Sequence, residues 1–84
     1  MDVRVYITPK QGILDPQGVA IERSLPALGF DGVTDVRVGK FIELQVAVPD
    51  GTPTDKAHAE VDEMCRKLLA NPIIEDYTFT VDEA

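Results

Sequence analysis

The sequence predicts a two-layer α+β fold, an antiparallel four-stranded sheet carrying two helices on one face. Three observations lead there. Apolar and polar residues alternate near both ends of the chain, through Val3, Val5 and Ile7 and again through Tyr77, Phe79 and Val81, the period of strands with one face on a core. Two stretches of helical period lie between them, each entered through a capping residue, Asp15 and Thr52. A second alternating region, 33–48, separates the two helices. The resulting order, βαββαβ, is the split βαβ, ferredoxin-like arrangement, expected as one domain over residues 1–84.

The first strand ends at Pro9, which has no N–H for a sheet ladder and holds Thr8 extended. Lys10 to Gly18 then turns the strand into a helix. Gly12 permits a positive φ in the bend, and Asp15 stands at the N-cap with Pro16 at the first helical position. Leu14 and Val19 are spaced to close as a hydrophobic staple. Ile21, Leu25 and Leu28 share one helical face, and Gly29 is placed as the left-handed C′ residue ahead of Phe30. Pro26 interrupts this helix, so a kink or a tightened last turn is expected there.

The 33–48 region is split at Gly39 and Lys40. A two-residue turn would set Val36 and Val38 on the face opposite Ile42 and Leu44, whereas a three-residue loop would set Val36 with Ile42. The alternation leaves both open. Pro49, Asp50 and Gly51 form a turn, and Thr52 with Asp55 resembles a capping box. Ala57, Val61, Met64, Cys65 and Leu68 make one apolar stripe. Asn71 suits C′, Pro72 stops the helix, and Ile73 to Val81 is the last strand, with Asp82, Glu83 and Ala84 expected as a frayed end. The uncovered face of such a sheet would include Tyr6 and Phe41, a place for self-association.

Composition narrows the function. Fifteen acidic against eight basic residues give a net charge of −7, which disfavours phosphate backbones and anionic membranes alike. No apolar run reaches the roughly 20 residues of a membrane span, and the start of the chain lacks a signal-peptide pattern. A single cysteine without such a pattern points to the cytoplasm. A chain of 84 residues buries a thin core, so burial against a partner is an attractive source of stability.

Catalytic constellations are sparse. His58 and Cys65, each the sole residue of its type, lie about 10 Å apart along a helix, too far for a nucleophile–base pair. Ser24, the single serine, has no base nearby in sequence. The glycines around Asp15 and Pro16 match neither phosphate-binding motif, and the Asp15 carboxylate would repel an anion from that helix end. No metal-ligand spacing occurs. Lys10 and the pair Arg37 and Lys40, at a hairpin tip, are the basic points left for a partner.

Four segments read together, Lys10-Gln11-Gly12-Ile13-Leu14-Asp15-Pro16-Gln17-Gly18, Leu28-Gly29-Phe30, Val36-Arg37-Val38-Gly39-Lys40 and Leu68-Leu69-Ala70-Asn71-Pro72-Ile73-Ile74-Glu75-Asp76-Tyr77, resemble the PurS family. These are small subunits of phosphoribosylformylglycinamidine (FGAM) synthase, in de novo purine synthesis. The resemblance covers nearly the whole chain, with Pro26 as a departure from it. It implies an accessory subunit without catalytic residues or a bound cofactor of its own, forming a homodimer or homotetramer. It also implies two larger partners, a PurQ-type glutaminase that releases ammonia and a PurL-type synthetase. Those partners would use glutamine, ATP and magnesium, converting formylglycinamide ribonucleotide (FGAR) into FGAM while the small subunit bridges them and helps ammonia pass. The residues implied for partner contact are Lys10, Gly12, Asp15, Pro16, Gly18, Arg37, Gly39, Lys40, Asn71 and Pro72. Fold analogy offers one alternative, an ACT-like sensor using the 12–18 loop for a small molecule. An acylphosphatase-like enzyme is disfavoured, because that family's arginine-bearing loop is missing.

Overall fold

The computed structural model describes residues 1–82. Its sheet has β1 (Asp2–Pro9) at the centre, flanked by β2 (Lys40–Gln45) and β3 (Glu75–Asp82), both antiparallel to it. The register sets Val3 opposite Leu44 and Val81, Val5 opposite Ile42 and Phe79, and Ile7 opposite Tyr77. Every apolar residue of the three alternations therefore faces the same side, as the period of two requires. Met1 and Val46 exchange backbone hydrogen bonds and lengthen the β1–β2 ladder by one step.

A helix, α2 (Thr54–Met64), covers this face and brings Ala57 and Val61 down onto it. Val3, Val5, Ile7, Val61, Cys65 and Ala70 are the buried heart of the core, with Ile42, Leu44, Leu69, Tyr77, Phe79 and Val81 packed around them. The last turn of α2 widens into a π turn over Cys65–Leu69, where the Ala70 N–H reaches back to the Cys65 carbonyl at 2.9 Å. One extra residue per turn shifts the phase of the apolar stripe by roughly 100°. Leu68, expected in the stripe, consequently points outward at 83 % exposure, and Leu69 and Ala70 take its place.

The second helix of the expected two-helix layer lies off the sheet. α1 (Pro16–Ser24) continues after Leu25 into a 3₁₀ turn, Pro26–Leu28, the tightening that Pro26 leads one to expect. Gly29 follows with φ 95°, and the Gly29 and Phe30 amides bond to the Pro26 and Leu25 carbonyls, which is a Schellman motif. None of the apolar residues of α1 enters the core. The chain is correspondingly long, 55 × 27 × 15 Å, with a radius of gyration of 16.8 Å against roughly 12 Å for a compact chain of this length.

Among the described residues the sheet has three strands where four were expected. The first half of the 33–48 region is irregular, and the register question at Gly39 and Lys40 falls away with the hairpin. Its backbone donors are used elsewhere: the Val36 N–H bonds to Glu22 Oε1 at 3.2 Å and the Val38 N–H to Asp15 Oδ2 at 2.8 Å. Alternate amides committed to α1 leave no free edge for a ladder on that side.

Smaller differences have equally local causes. Pro53 rather than Thr52 is the N-cap of α2, because the Thr52 hydroxyl bonds to the Pro49 carbonyl at 2.6 Å and closes the turn at Gly51. Leu14 is 83 % exposed and makes no staple over Val19. Ile73 and Ile74 belong to a turn instead of β3, since the Ile74 and Glu75 amides both bond to the Asn71 carbonyl. Asp82 is not frayed: it pairs with Asp2 in the ladder and with the Arg4 guanidinium at 2.7 Å. Glu83 and Ala84 lie outside the described residues. The outer sheet face is mainly polar, with Tyr6 and Phe41 as a tilted ring pair 5.2 Å apart among Asp2, Arg4, Thr8, Glu43, Thr78 and Thr80.

Candidate functional site at the end of the central strand

The residues singled out from the sequence converge on the C-terminal end of β1. Asp15 is the hinge of the arrangement. As N-cap of α1 its Oδ1 accepts from the Gly18 amide at 3.1 Å, and its Oδ2 accepts from the Val38 amide. The Val38 amide, then that of Gly18, hold the carboxyl below its ordinary pKa, outweighing partial burial, with Gln17 adding a smaller contribution. Pro16 opens the helix at N1. Gly18 is buried, and a side chain there would collide with the Val36 carbonyl and the Asp15 carboxylate. Gly39 faces the same constraint against the Ile7 carbonyl, so 36–39 is clamped between α1 and the strand.

Charges gather on this frame. Arg37 Nη1 donates to the Pro9 carbonyl at 3.2 Å. Lys40 reaches across β1 to Glu75, Nζ to Oε2, at 3.5 Å. The other oxygen of Glu75 accepts from the Asn71 amide at 2.7 Å, and Asn71 Oδ1 accepts from Ile73, so Asn71 and Pro72 stand at this end in an Asx turn. Lys10 donates its amide to the Ile74 carbonyl at 2.9 Å and extends Nζ to within 4.0 Å of Asp76. A small cleft of about 190 Å³ opens between Lys10, Gly12, Asp15, Glu22 and Arg37. Gly12 takes φ 83° in the bend, and a Cβ there would meet open space.

Two members of this network carried no signal in the sequence. Glu75 reads there as one more residue of an alternating strand, yet it joins Lys40 to Asn71. Glu22 belongs to no motif of the first helix, yet it holds the Val36 amide. Both depend on segments distant in sequence. Ile13, Leu14, Ile73 and Ile74 surround the same end as exposed apolar side chains.

The chemically reactive residues stand elsewhere. Cys65 is fully buried, and burial pushes its thiol pKa up, with Asp62 adding to the shift. His58 lies edge-on to Phe79 with ring centres 5.9 Å apart. The Ser24 hydroxyl donates to the Ala20 carbonyl one turn back. Asp62, which accepts from Tyr77 at 2.6 Å and from Arg66 at 3.0 Å, is held below its ordinary pKa chiefly by the tyrosine. Among the described residues no group of three or more His, Cys, Asp or Glu is placed to hold a metal ion, and no helix is long and apolar enough to cross a membrane.

Fold and site together define a small α+β protein whose polar groups meet at one strand end, with a helical arm held off the sheet. A family model described as PurS, phosphoribosylformylglycinamidine (FGAM) synthase, matches residues 2–83. The PurS subunit of Synechocystis is 45 % identical over 78 residues, 93 % of this chain and 75 % of that one. That of Bacillus subtilis is 43 % identical over 81 residues, 96 % and 92 % of the two chains. Solved structures agree. B. subtilis PurS superposes with a TM-score of 0.80 at 44 % identity over 98 % of both chains. A chain of the PurLQS structure from Thermotoga maritima does so with a TM-score of 0.79 at 30 % identity, over 94 % of this chain and 93 % of that one. The chain belongs to the PurS family and is a PurS subunit of FGAM synthase, a protein of purine biosynthesis.

Proposed function

We propose that this chain is a cytoplasmic, non-catalytic accessory subunit that joins a PurQ-type glutaminase to a PurL-type synthetase, self-associates, and assists the passage of ammonia between them. The convergence of Lys10, Asp15, Arg37, Lys40 and Asn71 on one end of β1 carries this reading. Residues from three separate segments of the chain meet there on a surface bordered by exposed apolar side chains, the mixture of charged rim and apolar contact that protein interfaces use. The likeness to a chain of the T. maritima PurLQS assembly supports it. Glutamine, ATP and magnesium are then requirements of the larger subunits. The ammonia released by glutamine hydrolysis replaces the glycinamide carbonyl oxygen of FGAR, which leaves as phosphate after ATP has phosphorylated it. An ACT-like sensing role gains nothing from the site, because Asp15 already fills the helix N-terminus that would receive a ligand carboxylate.

The test is reconstitution. With the glutaminase and synthetase present, glutamine-driven FGAM synthesis should need this chain, while synthesis driven by added ammonium should need it far less. Substituting Arg37→Glu and Lys40→Glu together should lower the glutamine-driven rate at least tenfold with the ammonium-driven rate little changed. Equal rates with and without the chain would remove the accessory role, and glutamine or ATP turnover by the chain alone would remove its non-catalytic character.

A further inference from the structure

We infer that Glu75 is a positioning residue of the partner surface: it fixes Lys40 and the turn at Asn71 and Pro72 in the arrangement that the larger subunits bind. This rests on the accessory role proposed above and concerns the same strand end. Glu75 is out of keeping with its row. It stands opposite Pro9 in the β1–β3 ladder, two residues before Tyr77, so its side chain falls on the core face with those of Tyr77, Phe79 and Val81. Only 16 % of that side chain is exposed. An apolar residue would serve the strand and the edge of the core better there, since a carboxylate withdrawn from water costs stability unless its oxygens find partners.

Both oxygens find them, in two different segments. Oε1 accepts from the Asn71 amide at 2.7 Å, while the Glu75 amide donates to the Asn71 carbonyl, also at 2.7 Å. One residue thus holds both backbone groups of Asn71, and Pro72 lies inside the closed loop. Oε2 faces Lys40 Nζ at 3.5 Å. Lys40 pairs with Ile7 and Glu75 with Pro9, positions two apart on β1, so both side chains rise from the same face and the pair spans the central strand. A single carboxylate therefore ties together the two flanks of β1. Lys40, 63 % exposed, keeps its ammonium at the surface within reach of a partner. Ordering a long side chain and a turn in advance removes part of the entropy that association otherwise costs. Loss of Glu75 accordingly weakens assembly and leaves turnover by the assembled complex intact.

Titrating the full chain into glutaminase and synthetase, read as glutamine-driven FGAM synthesis, separates the two quantities. In Glu75→Gln the amide oxygen can still accept from Asn71, but no charge remains for Lys40. Its half-saturating concentration should rise about threefold. Glu75→Ala frees the turn as well and should raise that concentration about tenfold. In both variants the rate at saturating chain should stay within about twofold of the parent. Hydrogen exchange should show the Asn71 amide of Glu75→Ala at least about tenfold faster, with the β1–β3 amides still protected. Glu75→Gln, close in shape to the parent, keeps the test open should the alanine variant fold poorly. An unchanged half-saturating concentration in either variant, or a fall in the saturated rate without a rise in that concentration, would overturn the positioning role. FGAM synthesis that runs equally well without the chain would instead overturn the accessory role beneath it.

Discussion

Around β1 and α2 the chain is held by burial, with Val3, Val5, Ile7, Val61 and Cys65 almost wholly removed from water. Around α1 it is held by hydrogen bonds and close backbone approach: two carboxylates grip the amides of Val36 and Val38, and two glycines let the backbones meet. Burial is non-directional and leaves a periodic trace in sequence. A carboxylate bonded to an amide 14 or 23 residues away leaves none. The first region is a core, and the second is a shaped arm whose apolar surface stays open.

Substitutions in the two regions should separate them. Ile7→Ala removes a fully buried side chain from the centre of the sheet and should lower unfolding free energy by about 3 kcal/mol, read from urea denaturation at high dilution. Leu28→Ala, in the arm, should change it by no more than about 0.5 kcal/mol under the same conditions. Equal losses would mean that the arm is packed in solution on its own sheet, and the contrast between the regions would vanish.

Gly39→Ala acts at the seam. A Cβ there drives into the Ile7 carbonyl oxygen, a backbone atom that can move only with β1. The expected cost is about 1–3 kcal/mol, accompanied by loosening of the 36–39 segment in hydrogen exchange. A neutral result would show that the segment is free to lift from the strand, leaving the Asp15 bond as its main tether.

The same division explains what the sequence disclosed. The alternations of Val3, Val5 and Ile7 and of Tyr77, Phe79 and Val81 gave their strands, faces and core correctly because the two strands pair with each other in the same chain. Asp15 and Pro16 gave the start of α1, and Gly29 the end of the 3₁₀ turn that follows it, because capping is local. The alternation at Val36 and Val38 was equally regular and misled, because its amides bond to side chains instead of a neighbouring strand. Leu68 misled because helical period assumes a uniform helix, and the π turn after Met64 breaks the phase. The contact residues were legible as types and motifs. Their meeting at one strand end was not, since Glu75 and Glu22 make that connection through space.

The smallest expected effect is the most specific to the arm. Asp15 carries two backbone hydrogen bonds, one on each oxygen, and its carboxyl is held below the ordinary value, first by Val38 and then by Gly18. A depressed folded-state pKa adds stability that is fully present above the unfolded value of about 3.9 and is lost as pH falls through the folded value. Amide exchange at Val38 and Gly18, corrected for intrinsic rates, should therefore speed up in acid below that range while the β1–β3 amides stay protected. Asp15→Asn should abolish this dependence. The amide side chain has a single acceptor oxygen, so it can keep the cap on Gly18 but not the bond to Val38 as well. The variant at neutral pH should then show at Val38 the several-fold faster exchange that the parent shows only in acid. Should Val38 stay as protected in the variant as in the parent, the tether between arm and strand would rest on the glycine contacts, and the arm would be held by packing after all.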